Sequence, residues 1–248
     1  MGAAFAESLA RRGLNLILIA RNKERLETAA KRLTEKFSVD VITFAADMAD
    51  FGNIKDFING LLSDETQNSA VKQKVSIGLL VYNAAFAPIG LFENTSEEHL
   101  ALAAAVNVNS PLLLAKFLSS SMILNKRGGI VLMSSLAGAQ GSPRLAVYAA
   151  TKAFNAVLAE GLWKELKPHG VDVIGCCAGA ILTPGYQETD KKKNAPGTMT
   201  AKDVAEQTLN ALGKKPIIVP GAVNKIAYFI FKRLLTKKAA IDIMDKAF

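Results

Sequence analysis

Residues 14–20 read Leu14-Asn-Leu-Ile-Leu-Ile-Ala20, a short and almost unbroken apolar run of strand length. Continuous rather than alternating apolar character marks a strand covered on both faces, as in a parallel sheet flanked by helices. Upstream, Ala3 to Arg12 reads as a helix stopped by Gly13, a favoured residue just past a helix end. Downstream, Asn22 to Lys36 is a charged amphipathic helix with Leu26, Ala30 and Leu33 on one side. The same alternation continues. Further strands are expected at Val39 to Ala45, Ile77 to Tyr82, Ile130 to Met133, Val171 to Cys177 and Ile217 to Val219. Helices are expected at Phe51 to Leu62, Ser96 to Leu124, Ala146 to Lys167 and Ala201 to Leu212, the last stopped by Gly213. The polar stretch Ser63 to Lys74 reads as a surface insertion. A strand–helix repeat of this kind is the signature of a doubly wound parallel α/β sheet. No linker or composition break divides it, so residues 1–248 are expected to form one domain, with a basic helical tail from about residue 222.

Composition narrows the function classes. A chain of 248 residues with 50% apolar content is large enough to bury a substantial core. No stretch reaches the ~18 uninterrupted apolar residues of a membrane-spanning helix, and the N-terminus lacks a secretory layout. Cys176 and Cys177 are adjacent, which makes a mutual bridge geometrically poor, and their apolar flanks read as a buried strand. Packing cysteines in a reducing cytoplasm are the expectation. The two histidines, His99 and His169, read as solvated, too few for a metal centre. Net charge is +8, but the segment from Lys214 onward holds eight basic and two acidic residues, a net of +6. That distribution argues against a nucleic-acid-binding surface and for a basic C-terminal segment. Lys191 to Lys193 reads as a solvated loop.

In doubly wound sheets, ligands sit at the carboxyl ends of the strands. Asn83 follows the strand ending at Tyr82, Ser135 the strand ending at Met133, and Thr183 the strand through Cys177. These polar residues converge on one edge. Tyr148-Ala-Ala-Thr-Lys152 adds a phenol and an ammonium four residues apart on one helix face. A free phenol ionises near pH ~10, and a neighbouring cation favours its anion. The pair is therefore a candidate general acid/base, with Ser135 able to donate to the same oxygen.

Together these residues resemble the short-chain dehydrogenase/reductase superfamily, and the resemblance spans essentially the whole chain. Asn83-Ala84-Ala85 is similar to the family's Asn-Ala-Gly motif. Asn107 in Val-Asn-Val-Asn, Ser135 in Met-Ser-Ser-Leu-Ala-Gly, and Tyr148 with Lys152 match its catalytic tetrad. Ala178-Gly-Ala-Ile-Leu-Thr183 is similar to the segment touching nicotinamide, and Asp47 sits where the family contacts adenine. The resemblance implies a Rossmann-like fold and hydride transfer between a nicotinamide cofactor and a carbonyl or secondary alcohol. Tyr148 would protonate the substrate oxygen and Ser135 would hydrogen-bond it. Lys152 would hold the ribose and depress the Tyr148 pKa, and Asn107 would position a water linking Lys152 to solvent. Cofactor contacts are implied for Gly2, Arg21, Asp47, Asn83, Ala84, Tyr148, Lys152 and Thr183. Arg21 stands where an acid would accept the ribose hydroxyl of NAD, and an arginine suits a 2′-phosphate, so NADP is expected. The helices bearing Asn107 and Tyr148 form the family's usual subunit contact, so a homodimer or homotetramer is expected.

Three departures from the family pattern matter. Met1-Gly2 looks like the last step of the Gly-rich phosphate motif, with the first strand and two glycines absent. That strand is central in the family's sheet, so its neighbours are expected to keep unpaired backbone groups. A misplaced start or truncated form of an ordinary enzyme is the expectation, the alternative being a non-catalytic nucleotide-binding or scaffold relative. Ala85 and Ala178 replace a glycine and a proline, and neither change removes a chemical group. Leu182 to Thr200 falls where the family places its substrate lid, and the sequence does not identify the substrate. Finally, Lys225 to Leu235 (KIAYFIFKRLL) mixes aromatic and basic residues, suited to an anionic membrane surface, and equally to covering the cleft or a subunit interface.

Overall fold

Strand β1 (Leu16–Ala20) runs parallel to β2 (Val41–Ala45), with Leu16 opposite Val41 and Ala20 opposite Ala45. In the computed structural model, which describes residues 1–62, 76–182 and 195–246, this pair is a sheet of its own. A second parallel sheet has the order β3-β4-β5-β8, formed by β3 (Leu79–Tyr82), β4 (Gly128–Ser135), β5 (Val171–Ala178) and β8 (Ile217–Ile218). The short β6 (Ile181–Leu182) and β7 (Met199–Thr200) make a third pair. The expected insertion Ser63 to Lys74 lies outside the described residues, as do Thr183, Lys191 to Lys193 and most of the expected lid.

The doubly wound sheet is therefore divided. Among the described residues β1 bonds only to β2, and β3 only to β4. Burial follows that division. Strands β4 and β5 are buried along nearly their whole length, whereas β1, β2 and β3 are mostly half-exposed. The expectation that every strand is covered on both faces holds only for the central pair. A strand edge without a ladder leaves N–H and C=O groups unpaired and its side chains without neighbours on that side.

Helices hold the two sheets in one body. On one face lie α1 (Gly2–Ala10) and α7 (Ala201–Ala211), whose Phe5, Leu9, Val204 and Leu209 pack with Leu16 of β1 and Val131 of β4. On the other lie α3 (Phe51–Leu62) and a long helix made of α4 (Glu97–Ala104), a π turn (Ala105–Asn109) and α5 (Ser110–Leu124). There Ile54, Ile58, Leu114 and Met122 pack with Ile130, Leu132 and Val173, and Phe44 of β2 stacks on Phe57 at 4.0 Å. Each such aliphatic or aromatic side chain, fully buried, contributes about 1.5–3 kcal/mol. Helix α2 (Lys23–Phe37) flanks β1 and β2, and its Leu26 and Leu33 are buried as the amphipathic spacing requires. Its first turn is capped by Asn22, whose side chain accepts from the Arg25 N–H at 2.8 Å.

The 28-residue run Glu97–Leu124, with mean hydropathy 1.4, is long and apolar enough to cross a membrane by length and composition. Its inner face carries buried, hydrogen-bonded Asn107 and Ser110, which pack it against the loops after β3 and β2. That inner face packs into the core layer with α3, while Leu112, Leu113 and Leu124 stay exposed. On the same face as α3 and α5 comes α6 (Ala146–Leu166), whose Ala159 and Leu166 share that core layer, and the described residues finish in α8 (Ala222–Phe229), a π turn (Ile230–Leu234) and α9 (Lys237–Asp245). Cys176 and Cys177 are free and buried in β5.

The divided sheet makes a direct prediction for amide exchange. Amides of β1 and β3 should exchange about tenfold or more faster than those of β4 and β5, measured by hydrogen–deuterium exchange under native conditions. Equal protection in all four strands would contradict the division.

Candidate active site

Ser135 is the last residue of β4, in extended backbone, with its Oγ accepting from the Ala137 N–H at 3.2 Å. The chain then makes a 3-10 turn (Leu136–Ala139) and returns to begin α6 two residues before Tyr148. The turn presses on that helix. A Cβ built on Gly138 would lie 2.7 Å from the Ala153 nitrogen and 2.8 Å from the Lys152 carbonyl carbon, so only glycine fits. Ser134 Oγ donates to the Lys152 carbonyl at 2.6 Å, and Lys152 Nζ donates to the Met133 carbonyl at 2.9 Å. These contacts fix the first turns of α6 on the end of β4.

Three of the sequence-predicted residues come together there. The Ser135 hydroxyl is close enough to the Tyr148 phenol to favour its ionised form, and Lys152 Nζ lies 5.5 Å from the centre of the Tyr148 ring. Lys152 is only 3% exposed, and burial lowers its pKa from 10.5 to about 8. Tyr148 differs from expectation. Burial raises its pKa above 10, the neighbouring Ser135 hydroxyl opposing only in part. The expected depression by Lys152 does not occur. The Lys152 ammonium is directed to the Met133 carbonyl, and burial weakens its own charged form. At neutral pH this tyrosine is a proton donor.

Asn107 sits in the π turn and is fully buried. Its Oδ1 accepts from the Phe86 N–H at 2.8 Å, and its Nδ2 donates to the Phe86 carbonyl at 2.6 Å and to Thr151 Oγ1 at 3.0 Å. Its main-chain carbonyl accepts from Asn155 Nδ2 at 3.0 Å. A π turn frees a carbonyl from the i→i+4 ladder, and Asn155 takes it up. The Asn107 side chain thus clamps the loop after β3 to α6. Thr151 and Asn155 were not singled out from the sequence. They sit three and seven residues beyond Tyr148, helical spacings that place them on its side of α6.

The residues expected to hold a cofactor lie along the carboxyl edge of the strands. Gly2 opens α1 beside Asn83, and a Cβ at position 2 would stand 3.3 Å from the Asn83 side-chain nitrogen. Arg21 is exposed immediately after β1. Asp47, exposed after β2, accepts from the Ala49 N–H at 2.8 Å, and Ala84 packs half-buried in the core layer behind the site. Tyr82 donates to the Val106 carbonyl and Ser110 to the Met48 carbonyl, tying the loops after β3 and β2 to the long helix. Thr183 lies outside the described residues.

A parallel α/β fold with a serine, a tyrosine and a lysine gathered at its strand ends is the architecture of a nicotinamide-dependent oxidoreductase class. Residues 1–194 match the model of the short chain dehydrogenases, and the chain belongs to that family. It is 28% identical over 238 residues to a very-long-chain 3-oxoacyl-CoA reductase of Phaeosphaeria nodorum, covering 92% of this chain and 63% of that one. A second such reductase, from Pyrenophora tritici-repentis, is 27% identical, with 60% of its length covered. The chain thus spans about three fifths of the length of these two relatives. It is 26% identical to a 7beta-hydroxysteroid dehydrogenase of Mediterraneibacter gnavus, covering 98% of this chain and 90% of that one. Among solved structures, a 7beta-hydroxysteroid dehydrogenase superposes with a TM-score of 0.86 at 25% identity, covering 97% of this chain and 90% of that one. A short-chain dehydrogenase of Sphingobium yanoikuyae in complex with NADPH gives 0.73 at 27% identity, covering 88% and 82%.

The buried lysine carries a pH signature. Between about 8 and 10.5 the unfolded chain keeps a proton that folded Lys152 has released, so its contribution to stability rises with pH across that window. Lys152→Met removes this term. In urea unfolding, the stability of the variant relative to the parent should be constant below pH about 8 and fall as pH climbs toward 10.5. A difference independent of pH would contradict the lowered pKa.

Proposed function

We propose that this protein is an NADP-dependent oxidoreductase that moves a hydride between nicotinamide and a carbonyl or secondary alcohol, with Tyr148 as general acid and base. The observation that carries this reading is the Ser135–Tyr148 hydroxyl pair beside buried Lys152. Tyr148, held above its ordinary pKa by burial, is protonated at neutral pH and suited to donate to a carbonyl oxygen in the reductive direction. Ser135 donates to the same oxygen and stabilises the charge that develops on it. Lys152, with its pKa lowered to about 8, exchanges protons near neutrality and can return one to Tyr148. Asn107 keeps the loop after β3 closed on α6, so that these groups keep their places.

The residues present fit a dinucleotide. The N-terminus of nine-residue α1 has no side-chain cap and its Ala4 and Phe5 amides bond the Met1 carbonyl, which leaves the Gly2 and Ala3 amides for an anion such as a pyrophosphate. Gly2 keeps that approach clear beside Asn83. Exposed Arg21 suits the 2′-phosphate that distinguishes NADP. NADPH, when bound, supplies the hydride, and the protein supplies orientation and electrostatics. An apolar substrate fits the surroundings. Pro88, Leu91, Phe92, Pro143 and Val147 border a cleft of about 280 Å³ beside the start of α6. The relatives named for a very-long-chain 3-oxoacyl group and a hydroxysteroid agree with extended apolar carbonyl compounds. Exposed Leu112, Leu113 and Val157 on α5 and α6 suit a homodimer or homotetramer.

A panel of ketones and aldehydes, read by NADPH consumption, tests the reading. Tyr148→Phe should lower kcat by about 10²–10⁴-fold with little change in NADPH affinity. Arg21→Asp should weaken NADPH binding about tenfold and raise the relative use of NADH. NADPH binding by fluorescence with no turnover of any carbonyl would favour the non-catalytic relative. An unchanged kcat in Tyr148→Phe would remove Tyr148 from the chemistry.

A further inference from the structure

We propose that α8 and the π turn after it form a foot that rests on an anionic lipid surface. Val223, Ile226 and Phe229 of α8 are 52%, 61% and 56% exposed, and Leu234 in the π turn is 65% exposed. Steps of three residues set the first three along one strip of the helix. The opposite side is locked to the protein. Asn224, 4% exposed, donates through Nδ2 to the Gly197 carbonyl at 2.9 Å and the Pro220 carbonyl at 3.0 Å, and Tyr228 is half-buried beside Cys177. The strip therefore cannot roll inward to cover the protein's own cleft without breaking those bonds.

Charge selects the occupant. Lys225 borders the strip, Arg233 follows in the π turn, and Lys237 and Lys238 open α9, all of them exposed, whereas the Lys232 ammonium lies 5.7 Å from the Tyr228 ring centre on the locked side. From residue 222 to the end, Asp242 and Asp245 are the only acidic residues. A second copy of the chain would bring the same cations against these, and charged residues are depleted at the centres of protein interfaces. An apolar strip flanked by lysine and arginine matches an interfacial helix, with its apolar side chains at the acyl boundary and its cations at anionic headgroups. Asn224 and Tyr228 hold the helix in place, so little ordering is needed on binding. Binding to this surface does not depend on catalysis.

Co-sedimentation of the full chain with vesicles tests this. Phosphatidylcholine vesicles should bind little, and vesicles with roughly 30% phosphatidylserine about tenfold more, with the difference shrinking as salt rises. Ile226→Ser with Phe229→Ser, and separately Lys225→Glu with Arg233→Glu, should each reduce binding about tenfold. All of these side chains are exposed, so circular dichroism and the unfolding midpoint should stay at parent values. Val157→Ser, on exposed α6 surface, should bind as the parent does. Equal binding to neutral and anionic vesicles, or variants that bind like the parent, would overturn the proposal. So would loss of a dimer in the Ile226→Ser, Phe229→Ser variant with no vesicle binding by the parent, which would make the strip a contact between copies.

Discussion

Everything the site can do depends on how closely α6 sits on the end of β4. Gly138 lets the 3-10 turn touch the backbone of Ala153, Ser134 bonds the Lys152 carbonyl, and the Lys152 ammonium reaches back to Met133. A helix docked a methyl group farther away would separate Tyr148 from Ser135 and leave a buried ammonium with no acceptor. An unpaired buried charge is among the costliest defects a fold can carry. The contact that makes the site also makes it intolerant of change, and the small residues around it are there for space rather than chemistry.

The same placement sets the electrostatics. Burial acts on Tyr148 and Lys152 in opposite directions, raising the phenol and lowering the ammonium. Their proton affinities therefore move apart, so the phenol keeps its proton while the ammonium releases one more readily than it would in water. The phenol is a donor because it is buried, not because the lysine has ionised it. A second layer of bonds holds this arrangement. Asn107 joins the loop after β3 to Thr151, and Asn155 occupies the carbonyl released by the π turn. The divided sheet stands in contrast. Its two parts share core layers on both faces but no ladder, so rigidity is concentrated in β4, β5 and α6, where the reacting groups lie.

Much of this was legible in the sequence, for identifiable reasons. Unbroken apolar runs located the strands, and Asn22, Ser96 and Thr200 sit at helix starts where their side chains cap the first turn. Tyr148 and Lys152 share a face because four residues make about one helical turn. The π turn was not legible. Ala105 to Asn109 lies inside a stretch that reads as one helix, and the Asn155 bond to the Asn107 carbonyl that accompanies the irregularity comes from far away in the chain. The role of Asn107 as a clamp was hidden for the same reason. The direction of the Tyr148 shift was misjudged because spacing gives the distance to a cation, whereas burial is a property of the whole fold. The uneven cover of the strands follows the divided sheet, and LNLILIA alone gives no sign that β1 would be only half-covered.

The claim that two hydroxyls act on one substrate oxygen is open to a double-mutant cycle. Ser135→Ala, Tyr148→Phe and the double variant would be compared in single-turnover NADPH oxidation, with whichever carbonyl compound the parent reduces best. Groups that act as a unit are strongly non-additive, so the double variant should lose little more than Tyr148→Phe alone. Losses that multiply would show that Ser135 and Tyr148 act independently, and would contradict the account.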